Sequence, residues 1–204
     1  MAWTAPRTWV AGAVLTAAQL NVDVRDNMGV LSRALLSPEH LTGLYYRPLG
    51  VYQSANVVVS ANVLYAAPVP IPASGSYDRV AVTCITASGA SARLGLYADN
   101  AGVPGALLED GGAAALADAT LLAQTIAETI VGPTIVWLAA VFNGTPTMGA
   151  IEGIGIGARG TSTSGSLATV IGVSRTFTYG ALPDPYGSPT GGSVISPFIA
   201  MRKV

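Results

Sequence analysis

The sequence predicts an antiparallel β-sandwich preceded by an extended arm and one α-helix. Three observations carry that reading. From residue 51 onward, short runs of β-favouring residues recur between Gly, Pro, Asn and Ser. No helix-length amphipathic segment alternates with them, which argues against a doubly wound α/β fold. The one strong helix signal lies before residue 43. The organisation expected is an arm and helix over 1–43 that anchors or oligomerises, a linker over 44–50 and a sandwich over 51–204.

Residues 1–15 hold Trp3, Pro6, Arg7, Trp9 and Gly12 without sustained periodicity, so they read as an arm with adhesive points. Thr16-Ala17-Ala18-Gln19 has the form of a capping box, in which the Thr16 hydroxyl accepts from a backbone N–H and Gln19 reaches back. Leu20, Val24, Met28, Leu31 and Leu35 follow at spacings of three and four and draw one apolar stripe, with Asp23, Arg25, Asp26 and Arg33 elsewhere. Two partners fit the stripe: the chain's own sandwich, or equivalent helices in a small bundle whose register Asn27 would set. Gly29 weakens the helix by about 1 kcal/mol relative to Ala. Ser37-Pro38 ends it, because the residue before proline is pushed out of the helical region.

The strands expected are Val51–Val59, Val63–Val69, Tyr77–Ala87, Ala92–Ala98, Ala106–Glu109, Leu121–Ile130, Thr134–Phe142, Ala168–Tyr179 and Val194–Met201. The alanine-rich start at Leu116 leaves a helical turn open as an alternative there. Leu94 to Leu108 reads as a hairpin with a five- to six-residue loop, Asp99 and Asn100 shaping the turn. Residues 150–165 are glycine-rich and then small and polar. Residues 179–193 carry three prolines with Tyr179 and Tyr186 in a stretch too long for a tight hairpin, and long loops on β scaffolds are where binding tends to sit.

Composition narrows the function. Charged residues make up 10% of the 204-residue chain and Lys203 is the single lysine, against roughly a quarter charged in typical soluble proteins. The surface is then either Ser, Thr, Ala and Gly or covered by neighbouring subunits. A net charge of −1 with dispersed arginines offers no basic stripe for a phosphate backbone, so no nucleic-acid partner is expected. Although the mean hydropathy is positive, no run reaches the roughly 20 apolar residues of a span; Gly132-Pro133-Thr134 interrupts the best candidate, Ile130 to Phe142. The first residues lack the basic region, apolar core and cleavage site of a signal peptide, so synthesis in the cytoplasm without a secretion signal is expected.

A search for chemistry yields little, and no catalytic residue, cofactor or metal site is expected. Cys84 is the only cysteine, which excludes an internal disulfide, and its neighbours Val80 to Ile85 make it a core strand residue. Gly155-Ile156-Gly157-Ala158-Arg159-Gly160 matches the dinucleotide-binding glycine pattern but lacks the following helix and the acidic residue about 20 positions on. His40, the only histidine, sits beside Glu39 in the expected hinge and reads as a solvated residue or a polar contact at a subunit boundary. Asp99, Glu109, Asp110 and Asp118 read as turn and edge residues; a calcium site there would need several more oxygen ligands.

The stretch Trp3-Thr4-Ala5-Pro6-Arg7-Thr8-Trp9-Val10-Ala11-Gly12, with Leu15-Thr16-Ala17-Ala18-Gln19-Leu20-Asn21 and Val24-Arg25-Asp26-Asn27, resembles an opening shared by small structural proteins of tailed bacteriophages. It covers about the first 35 residues. The segment Leu96-Tyr97-Ala98-Asp99-Asn100-Ala101-Gly102-Val103-Pro104-Gly105-Ala106-Leu107-Leu108 is similar to a hairpin of jelly-roll-like sandwiches in phage fibre and surface-associated proteins. The first resemblance implies a docking module, with Trp3 and Trp9 as apolar anchors and Arg7 as a bidentate donor, residue types enriched among binding hot spots; the alternative is that both tryptophans cap the chain's own sandwich.

The function expected is therefore that of a non-enzymatic virion protein, tail-associated at the tip or fibre. It would dock on other virion proteins through Trp3, Arg7, Trp9, Leu20, Val24, Met28, Leu31 and Leu35, as a homo-oligomer with a trimer favoured. The sandwich would serve assembly or host adsorption. A capsid-decoration or head-fibre role is the nearest alternative; a carbohydrate-binding module is the alternative of another class, with Tyr179 and Tyr186 as the aromatic platform for a host-surface glycan.

Overall fold

The computed structural model describes residues 12, 14, 16–28, 40–47, 52–152, 160–161, 169–170, 172–193 and 195–204. They fall in two compact units, Met1–Glu39 and His40–Val204. The first contains a helical segment, Ala17–Leu20 continuing as a π-helical turn Asn21–Asp26. Among its described residues the second is all β. In chain order its strands are β1 (Tyr45–Tyr46), β2 (Tyr52–Val58), β3 (Val63–Ile71), β4 (Gly75–Thr86), β5 (Ser91–Asn100), β6 (Val103–Ala115), β7 (Thr120–Ile130), β8 (Thr134–Phe142), β9 (Thr147–Glu152), β10 (Gly160–Thr161), β11 (Thr169–Val170), β12 (Gly172–Thr176), β13 (Gly191–Ser193), β14 (Ile195–Pro197) and β15 (Ile199–Lys203).

Strands β2 to β9 form a jelly roll. One sheet runs β2-β9-β4-β7 and the other β3-β8-β5-β6, with every pair antiparallel. Each step along the chain crosses to the opposite sheet except β5 to β6, a hairpin. The expected β-sandwich is thus present. The last strands enlarge it: β12 and β13 extend the second sheet past β3, while β14 lies beside β9 and β15 between β4 and β1 in the first sheet. Strands β10 and β11 pair as a separate ribbon.

Side-chain alternation explains the layers. On β7, Gln124, Ile126 and Ile130 are buried while Leu121, Ala123, Thr125, Ala127 and Thr129 are exposed, the period of a strand with one wet face. β8 is different, since every side chain from Val136 to Phe142 is buried. Val136, Leu138, Ala140 and Phe142 face the core between the sheets, with Val80, Val82, Cys84, Leu94, Leu96, Ile199 and Met201. Trp137, Ala139 and Val141 face a second core on the outer side of β8, with Leu64, Ala66, Tyr97, Val173, Leu182 and Tyr186. A strand buried on both faces reads as an unbroken apolar run, which is what residues 135–142 are. Pro68 and Pro70 sit in β3 beyond the stretch Val63–Ala66 that pairs with β12, where their missing N–H costs no ladder bond among the described strands.

Several expectations change. β6 runs on to Ala115 because Glu109-Asp110-Gly111-Gly112 makes a bulge, with Gly112 at φ +83°, where a turn was expected. The β5–β6 loop has two residues, not five or six: Ala101 and Gly102 take φ of 51° and 87°, while Asp99 and Asn100 stay in the ladder opposite Pro104 and Val103. The alanine-rich stretch at 116 gives strand and turn, with no helical turn. β9 was not among the strands expected, and its last three residues overlap the glycine-rich stretch 150–165. The segment read as a linker over 44–50 is, in its described part, an edge of the sandwich: Tyr45 and Tyr46 pair with Arg202 and Met201, and Gly43 N donates to Lys203 O at 2.8 Å. Pro48 to Gly50, the Gly155–Arg159 part of the glycine pattern, Gly29 and Ser37-Pro38 lie outside the described residues.

Candidate interaction surfaces

The helical segment begins as its sequence requires. Thr16 Oγ1 accepts from Gln19 N at 3.3 Å and Thr16 N donates to Gln19 Oε1 at 2.9 Å, closing the capping box. After one α-turn the helix widens to the π form over Asn21–Asp26, and Asn27, itself buried, donates from Nδ2 to Asp23 O at 3.2 Å. Leu20, Val24 and Met28 are 46%, 46% and 64% exposed, so three apolar side chains at four-residue spacing face outward. The remaining anchoring residues, Trp3, Arg7, Trp9, Leu31 and Leu35, lie outside the described residues.

The loop expected to bind, 179–193, is instead a strap fastened over the outer face of the second sheet. Tyr186 is fully buried, its hydroxyl donating to Leu64 O at 2.8 Å and its ring edge-on to Tyr97 at 5.2 Å. Tyr97 Oη donates to Pro183 O at 3.0 Å, Leu107 N to Asp184 Oδ1 at 2.9 Å, Leu182 N to Asp110 Oδ2 at 3.0 Å and Tyr186 N to Gly105 O at 2.9 Å. Arg175 donates to Tyr186 O and lies over the rings of Phe177 and Tyr186. Gly95 permits this packing, since a Cβ there would strike Leu182 and come within 2.6 Å of Glu109 O. Tyr186 is therefore not a receptor contact. Tyr179 does not pair with it as a platform: it packs partly buried against the same outer core, with its hydroxyl inside and no hydrogen-bond partner. The physical reason is that β8 presents Trp137 outward, and that apolar face recruits the nearest aromatic residues as cover.

The carboxylates that clustered in sequence act structurally. Asp99 accepts from Trp137 Nε1 at 2.8 Å and from Gly102 N at 3.2 Å, so it holds both the hairpin turn and the buried indole. Asp110 pairs with Arg93 Nε at 2.8 Å and Asp118 accepts from Ala87 N at 2.6 Å. Across the first sheet Asp78 is bidentate with Arg202, which holds its carboxyl below the usual range. Among the described residues, no group of three or more His, Cys, Asp and Glu could hold a metal ion. Cys84 is fully buried in β4, and burial pushes its thiol up.

His40, the first residue of the second unit, is not solvated. It is 6% exposed, stacks on Tyr46 with centroids 3.7 Å apart, and shares a 2.9 Å hydrogen bond between Nδ1 and Tyr77 Oη. Its backbone oxygen accepts from Lys203 Nζ at 2.8 Å. Burial, aided by the Lys203 charge, lowers the imidazole from 6.5 to about 4. Above pH 6.5 folded and unfolded chains both carry a neutral ring. Below it the unfolded chain binds a proton that the folded chain refuses until about pH 4, so stability falls as pH drops from 6.5 to 4, by at most about 3 kcal/mol. Calorimetric Tm values across this range should fall more steeply for the native protein than for His40→Gln; equal slopes would show that other groups set the acid sensitivity.

A jelly-roll β-sandwich with a separate N-terminal helical unit, its outer core closed by its own strap, is the class of protein these residues define. Set beside known proteins, the sequence matches no family model, and no curated protein matches it either.

Proposed function

We propose that this chain is a structural protein of a tailed-bacteriophage virion, tail-associated and homotrimeric, that docks on other virion proteins through its N-terminal segment and presents the sandwich outward. The observation that carries this reading is the exposed apolar row Leu20, Val24 and Met28 on a capped helical segment. Exposed apolar residues at helical spacing are stabilised by burial against a partner. The phage attribution is supported by the resemblance of the first 35 residues to the opening of such proteins. Of the two roles for the sandwich, assembly is favoured over glycan adsorption, because burial of Tyr186 removes half of the aromatic platform that adsorption would use.

Light scattering on the full chain should give three times the 20.6 kDa chain mass. Val24→Asp combined with Met28→Asp should reduce it to the monomer while leaving the sandwich's unfolding transition unchanged, since a charge on the contact face costs several kcal/mol when desolvated. Immunogold labelling should decorate the particle's tail. A native protein that stays monomeric at all concentrations, or label confined to the capsid, would overturn the respective half of the reading.

A further inference from the structure

We infer that residues 40–46 form an acid-released clip: a neutral His40 ring pins the segment to β4 and β15, and protonation of that ring lifts it off while both cores of the sandwich stay closed. Lifting bares the edge of β15 that β1 covers.

The segment is held at few points. Its His40 ring stacks on Tyr46 and shares a hydrogen bond with Tyr77 Oη of β4. From β15, Lys203 Nζ donates to His40 O at 2.8 Å, Lys203 O accepts from Gly43 N at 2.8 Å and Lys203 N donates to Leu44 O at 3.3 Å. β1 adds the pairs of Tyr45 with Arg202 and Tyr46 with Met201, and Tyr46 Oη folds the segment on itself by accepting from Leu41 N. Of residues 40–46 His40 alone is buried, Tyr46 is partly so, and the rest are exposed. Neither hydrophobic core draws a residue from the segment. Opening it therefore exposes little apolar surface and leaves the packing of the sandwich in place, the condition for opening below the global level.

Charge makes His40 the release. Among the described residues, the titratable and charged groups that face the ring are Lys203 on β15, Tyr46 on β1 and Tyr77 on β4, and none of them is an anion. Asp78, next along β4, is engaged by Arg202 and Arg79. An imidazolium at His40 would be buried without a counter-ion beside the Lys203 ammonium, so lost hydration and Coulomb repulsion both oppose it. The face of Tyr46 attracts a cation, but weakly against those two effects. In the lifted segment the ring is hydrated, and each proton taken up in acid favours the open form. The inference does not rest on the virion reading.

The test is native-state hydrogen exchange on the full chain, with and without low urea. Corrected for intrinsic exchange rates, protection of the Gly43 amide should fall about tenfold per pH unit from pH 6.5 to about 4, the window in which the open form binds a proton that the closed form refuses. It should not respond to low urea. The Leu94 amide, bonded inside the sandwich to Gln124 Oε1, should be better protected and lose protection with urea, because its exchange requires the sandwich itself to open. His40→Phe keeps a ring against Tyr46, removes the titrating group and should flatten the Gly43 profile. A flat Gly43 profile in the native protein, the same slope in His40→Phe, or equal urea dependence of the two amides would each overturn the clip.

Discussion

Replacing Tyr186 with Ala should lower the stability of the sandwich by about 3–5 kcal/mol, the range for truncating a large buried aromatic residue, and Tm by on the order of 10 °C. Tyr186 is the bolt of the strap. Its ring fills the outer core between Leu64, Tyr97 and Val173, its hydroxyl donates to the Leu64 carbonyl, and its main chain is held by Gly105 and Arg175. Removing the ring leaves a cavity over Trp137 and loosens every strap contact from Leu182 onward. Tyr186→Phe should cost only about 1–2 kcal/mol, because the ring stays and one hydrogen bond is lost. Urea titrations with the near-ultraviolet signal of Trp137 separate the two variants. Equal, small effects of both would show that the strap lies on the sheet without stabilising it.

Gln124→Leu should cost about 2–5 kcal/mol although it exchanges a polar core residue for an apolar one of similar size. Gln124 points from β7 into the sandwich, 5% exposed, and bonds to the opposite sheet: Oε1 accepts from Leu94 N at 2.9 Å and Nε2 donates to Ala92 O at 3.2 Å. The reason lies in β6. Its register skips between the partners of Arg93 and Gly95 at the Gly111-Gly112 bulge, and the Gln124 amide takes the place of the missing strand neighbour. With leucine there, a buried N–H and a buried carbonyl lose their partners at about 1–3 kcal/mol each. Hydrogen exchange gives the local readout, since the Leu94 amide should be protected in the native protein and exchange faster in the variant. An unchanged Leu94 amide would mean that water or another group satisfies it.

How legible these features were in the sequence depended on where their partners lie along the chain. β8 was legible to the residue, because Gly132-Pro133 and Asn143-Gly144 punctuate an apolar run whose interior needs no partner to be recognised. The capping box at Thr16 was legible because both its hydrogen bonds are local. The π-turn that follows was not, since the same residues draw an α-helical stripe. Glu109 to Ala115 hid a strand behind turn-forming residues, as a bulge uses glycine for the same conformational freedom as a turn. His40, Gln124 and Tyr186 were misread or missed for one reason. Their partners stand 37, 30 and 122 residues away, and nothing local distinguishes a buried, satisfied polar group from a solvated one. The aromatic content of the 179–193 loop was visible, but whether such a loop binds outward or folds back depended on the outer face of β8.

The position of β15 has a consequence for the chain on the ribosome. Ile199 and Met201, fully buried, line the core from a strand wedged between β4 and β1, and Lys203 reaches back 163 residues to the His40 carbonyl. At a synthesis rate of roughly 5–20 residues per second, about 10–30 s separate the emergence of these two ends. From its own synthesis until β15 follows, the edge of β4 that β15 covers waits unpaired there, while the capping box at Thr16, whose bonds are all local, needs no distant partner. The nascent chain thus shows its apolar helical row before its sandwich can close.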